Sequence, residues 1–132
     1  MIGLPISCAN DLEEFLMNDL TAVRERFQKD DLPTRLVGLA ANLAQVSSFS
    51  KNVNNKDAVY GLLEESKYFI EWSAGEADDE RAADLVELQV QLSRWQYHWP
   101  SLWDDTTRRQ NLTTQARLWS DRVLRASGIL DL

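Results

Sequence analysis

A chain of 132 residues, 44% apolar and 27% charged, has the size and composition of one ordinary globular domain and excludes wholesale disorder. Its net charge of −7 repels phosphate, which argues against a nucleic-acid partner. A single cysteine, Cys8, excludes an intramolecular disulfide and fits a reducing compartment.

The opening stretch, MIGLPISCAND, lacks the basic region and long apolar run of a signal peptide, and no 18-residue apolar stretch occurs. The expectation is therefore a cytoplasmic, soluble protein with no membrane role. Residues 1–9 contain Pro5 and no helical periodicity, and read as an extended arm.

From Asn10 the apolar residues Leu12, Phe15, Leu16, Leu20, Val23 and Phe27 recur at three- and four-residue steps, predicting a first helix over 10–30. Asp31 then precedes Leu32-Pro33, and proline suits a first helical turn. A second helix over 33–50 carries Leu36, Leu39, Leu43 and Val46. Beside them lie the small residues Ala40, Ala41, Ala44, Ser47 and Ser48, which would let a neighbouring helix approach closely. After an asparagine-rich loop, Val59, Leu62, Leu63, Phe69 and Ile70 predict a third helix over 56–73.

The stretch 85–103, most of which belongs to the fourth helix (79–99), holds three of the five tryptophans and the only histidine. On a helical wheel Leu85, Leu88, Leu92, Trp95 and Trp99 fall within about 80°, while Val86, Val90 and Tyr97 form a second arc. Two apolar arcs predict a central helix flanked on two sides, with Leu92 in the core and His98 on the polar side. Pro100 should end it, Ser101 is placed to cap the next helix, and Leu112, Ala116, Trp119 and Val123 carry that fifth helix over 102–127. The expected fold is all-α: an antiparallel up-and-down bundle of four to five helices in one domain spanning 1–132. Residues 39–74 and 88–123 match at an offset of 49 in Leu39/Leu88, Leu43/Leu92, Val46/Trp95 and Leu63/Leu112, although any two helical hairpins of equal length share such matches.

Catalytic constellations are missing from this pattern. A di-iron bundle needs Glu-x-x-His, yet Trp95 stands three before His98. One histidine and one cysteine cannot close a metal site, and no glycine-rich phosphate loop or nucleophile elbow is present. No cofactor or metal is expected, and no enzyme activity.

The tryptophans are the unusual feature, and they fit either core positions or a recognition surface. If the connections near 53 and 100 share one end of the bundle, Trp95, Trp99 and Trp103 gather there with Phe49 and Tyr60, while Trp72 and Trp119 lie at the other end with Phe27. Pro100 separates Trp99 from Trp103, so Trp103 is expected to be partly exposed at a helix corner. Trp99, Trp103 and Tyr97, with the acidic residues Glu76, Asp78, Asp79 and Glu80, form the candidate partner-binding set. Arg122 and Arg125 with Leu118 and Ile129 could make a second, mixed patch.

Three functions fit these features. The first is a non-enzymatic interaction or regulatory module, with a protein partner or self-association. The second is an acidic inhibitor or immunity-type protein neutralising a basic partner, and the third is a bundle holding a small ligand in a Trp-lined cavity.

Overall fold

The computed structural model describes residues 20–131. The expected arm 1–9, with Cys8, and the start of the first helix at residue 10 lie outside them. Contacts divide the chain into two units, Met1–Asp30 and Asp31–Leu132, each described by itself. In the first, residues 20–29 form helix α1, and Asp30 donates its backbone N–H to the Phe27 carbonyl at 3.3 Å.

The second unit is α-helical. Helices α2 (Leu32–Phe49), α3 (Lys56–Glu71) and α4 (Asp79–Tyr97) are followed by a short α5 (Trp99–Asp104) and by α6 (Thr106–Ala126). Among the described residues there is no strand. Aspartates start three of these helices, each carboxylate accepting an otherwise unpaired first-turn N–H. Asp31 accepts from Thr34 at 3.0 Å, Asp78 from Arg81 at 2.8 Å and Asp105 from Arg108 at 3.1 Å. Hydrogen bonds from Thr34 hold the Asp31 carboxyl below its ordinary value. At the far end of α6, Gly128 takes the left-handed backbone (φ 79°) that stops a helix.

Two boundaries differ from the sequence expectation. Helix α4 ends at Tyr97, and Pro100 sits in the first turn of α5, where its missing donor costs nothing. The break expected at Ser101 falls instead at Asp105, whose extended backbone and capping carboxylate separate α5 from α6. Ser101 lies within α5 and donates its hydroxyl to the His98 carbonyl at 3.1 Å.

The centre of the bundle also differs. Within this unit α2, not α4, is the most embedded: it packs most extensively on α6 and next on α3, whereas α4 rests mainly on α3 and meets α6 only thinly. The small residues of α2 explain this. Ser120 of α6 donates to the Ala40 carbonyl at 2.7 Å, and Ser47 of α2 donates to the Thr113 carbonyl at 2.8 Å. Side chain to backbone bonds in both directions require the two helices to lie close, which alanine and serine permit and leucine would prevent. Around that seam Leu36, Leu39, Leu43, Val46, Val59, Leu63, Leu88, Leu92 and Leu112 are almost wholly buried. All eight residues paired at the offset of 49 are buried, as they would be in any two amphipathic hairpins.

Candidate functional site

Of the aromatic residues expected at one end of the bundle, Trp99, Trp103 and Tyr60 gather. Trp99 and Trp103 lie with ring centroids 5.2 Å apart, Tyr60 meets Trp99 edge-on at 5.5 Å, and Trp103 Nε1 donates to the Val53 carbonyl at 2.9 Å. Both indoles are core. Trp103 is 1% exposed and Trp99 6%, so the expected partial exposure of Trp103 is corrected. The short α5 turns the corner with its apolar side inward, and the loop carbonyl at Val53 supplies the acceptor that a buried indole N–H needs. Towards the other end Trp72 stacks on Tyr68 at 5.5 Å. Trp119 is buried with the Arg122 guanidinium 4.6 Å from its ring centroid.

The acidic candidates divide. Glu76 forms an ion pair with the buried Arg35, which also donates to the Trp72 carbonyl at 3.1 Å, and Asp78 caps α4. Asp79 and Glu80 are exposed in the first turn of α4, where the helix dipole favours acids. Tyr97 stands at the opposite end of the same helix, about 27 Å away by helical rise. Trp99, Trp103, Tyr97 and the acids therefore do not converge on one site.

What the structure does bring together is the second apolar arc of α4. It was expected to be covered, but the thin α4–α6 contact leaves it open. Val86 is 58%, Val90 45% and Tyr97 83% exposed, and Leu118 of α6 is 56% exposed beside them. Val90 and Leu118 line an open groove of roughly 520 Å³ between α4 and α6, together with Glu87, Arg94, Trp119 and Arg122. A shallower depression joins Val90, Ser93, Arg94, Tyr97 and His98. Arg122 crosses the head of the groove, holding Asp84 at 2.6 Å and Glu87 at 3.2 Å, and the hydrogen bond it donates to Asp84 raises the guanidinium's pKa further. Of the mixed patch expected on α6, Leu118 and Ile129 are indeed exposed, as are Arg122 and Arg125.

Searches against protein-family models, curated proteins and solved structures give no match, so the geometry carries the functional reading. Among the described residues no group of three or more His, Cys, Asp or Glu is placed to hold a metal ion, and no helix is long and apolar enough to cross a membrane. The surface residues that the candidate set left out are Val86, Val90 and Arg94, while Leu118 was named only in a separate patch. Their signal was present in the wheel of α4, but a second apolar arc marks a face that wants a partner without saying whether the chain supplies it.

Proposed function

We propose that the protein is a non-enzymatic interaction or regulatory module that docks a protein partner on the outer face of α4 and the adjoining groove. One observation carries this reading: Val86, Val90, Tyr97 and Leu118 are exposed together along two neighbouring helices, whereas the other exposed bulky apolar residues described, Phe49, Val53, Tyr60, Ile129 and Leu130, lie in connections or near helix ends. Contiguous apolar surface rimmed by charge is the ordinary composition of a docking patch, with an exposed aromatic as its anchor. Asp84, Glu87, Arg94 and Arg122 supply the charged rim.

An inhibitor acting through the acidic stretch has less support, because Glu76 and Asp78 are engaged in holding the fold. A Trp-lined ligand cavity also has less support, because the groove touches one indole, Trp119. A cytoplasmic setting, inferred from the lone Cys8, belongs to the same proposal.

The test is site-specific photocrosslinking in the native cell. A crosslinker at Val90 should form adducts with a protein partner, while one at Ala58, exposed on α3, should not. Val90→Arg should weaken that association about tenfold or more, with the melting transition almost unchanged because the side chain is already half in water. Equal adduct yields at the two positions, or capture unaffected by Val90→Arg, would contradict the proposal.

A further inference from the structure

Resting on that docking face, we propose that the partner it fits is a second copy of the chain, paired antiparallel through α4 about a two-fold axis. The outer residues of α4 form a regular seam. Asp79, Ala83, Val86, Val90, Ser93 and Tyr97 follow one another at alternating steps of four and three, and all six are exposed. That is the spacing with which one helix packs along another. Within this chain nothing in the second unit covers it, since α4 turns its other face to α3 and meets α6 only thinly.

Charge selects the partner and the direction. Glu87 follows the seam residue Val86, and Arg94 follows Ser93 seven residues later, so both flank the seam on the same side and both are exposed. Parallel pairing in register would set Glu87 and Arg94 against the opposite flank of the second copy's seam, where Ala82, Gln89 and Gln96 carry no charge. In an antiparallel pair that places Val86 opposite Tyr97 of the second copy, and Val90 opposite Ser93 of the second copy, Glu87 comes within two residues of rise of Arg94 of the second copy. That is about 3 Å, well inside the reach of two long side chains. The two-fold axis repeats each contact, giving two Val–Tyr contacts and two Glu–Arg pairs from one self-complementary surface.

On pairing, Glu87 exchanges its 3.2 Å contact with Arg122 for Arg94 of the second copy, and Arg122 keeps its shorter contact with Asp84 at 2.6 Å. The seam is about 27 Å long, which corresponds to a small interface of the transient class, and two copies of net charge −7 repel at long range. The dimer is therefore weak and depends on concentration.

Sedimentation equilibrium across a wide concentration range tests the pairing. The wild-type protein should self-associate reversibly, and E87R alone or R94E alone should weaken association about tenfold or more. An equimolar mixture of the two variants should recover it, because opposite charges then face each other at both sites again. Glu87→Gln and Arg94→Gln should give the same direction with smaller shifts, which guards against an unfolded charge-reversal variant. A monomeric wild-type protein, association that neither charge variant moves, or a mixture that stays monomeric would each overturn the proposal. If the wild-type protein is monomeric while a crosslinker at Val90 captures a different protein, the second copy is excluded and the docking face stands. If it is monomeric and position 90 captures nothing, both readings fall.

Discussion

Trp103→Ala is expected to destabilise the fold by about 3–5 kcal/mol, the range for truncating a fully buried large aromatic. The indole is 1% exposed, lies against Trp99, and has the Arg109 guanidinium 5.6 Å from its ring centroid. Arg109 also donates to the Trp103 carbonyl at 2.8 Å. Alanine would leave a cavity at the α5 corner and deprive the Val53 carbonyl of its indole donor. Trp103→Phe should restore much of the volume without the donor, which separates packing from a hydrogen bond worth about 1 kcal/mol. Denaturant unfolding monitored by far-ultraviolet circular dichroism measures both. A loss below about 1 kcal/mol for Trp103→Ala would mean that the residue is not core, because substitutions at exposed positions stay within about 0.5 kcal/mol.

Ala116→Leu should be comparably damaging, although it adds apolar bulk. Ala116 is wholly buried on α6 between Thr113, whose carbonyl accepts from the Ser47 hydroxyl of α2, and Ser120, whose hydroxyl donates to the Ala40 carbonyl of α2. A leucine there pushes the helices apart. Overpacking of this kind costs about 1–3 kcal/mol. If the bonds from Ser120 to Ala40 and from Ser47 to Thr113 also part, each buried polar group left unpaired costs about 1–3 kcal/mol more. The matched control is Leu118→Ala two residues on, at an exposed site, which should change stability by no more than about 0.5 kcal/mol. Equal tolerance of the two substitutions in a thermal melt would show that α2 and α6 are not in close contact at Ala116.

The same residues show how much of the fold was legible beforehand. Helix type, and every helix but the short α5, followed from apolar residues at three- and four-residue steps, and Pro33 marked the start of α2 because proline suits a first helical turn. The gathering of Trp99, Trp103 and Tyr60 followed from alternating helix direction alone. The break at Asp105 was not apparent, since Ser101 and Asp105 are both good caps; in the fold Ser101 lies inside α5 and Asp105 caps α6.

The choice of central helix was misjudged for a physical reason. The richest apolar pattern belongs to α4, but closeness of approach is governed by small side chains, and those lie on α2 and α6. With α6 drawn to α2, the outer arc of α4 is left without a neighbour in its own bundle. A wheel reports which side chains share a face, and Val86, Val90 and Tyr97 were correctly grouped. What covers that face depends on how closely the other helices pack on one another, which no single-helix pattern contains.

Hydroxyl-radical footprinting over increasing protein concentration tests the central claim, that the tryptophan corner is core and the outer face of α4 is the docking surface. In dilute protein Tyr97, Val90 and Leu118 should be oxidised readily, while Trp99 and Trp103 resist although indoles react at least as fast as phenols. As concentration rises through the range of self-association, Tyr97 and Val90 should become protected while Trp99 and Trp103 stay unchanged. Rapid oxidation of Trp103 in the dilute folded protein, or a Tyr97 equally reactive at every concentration, would contradict this account.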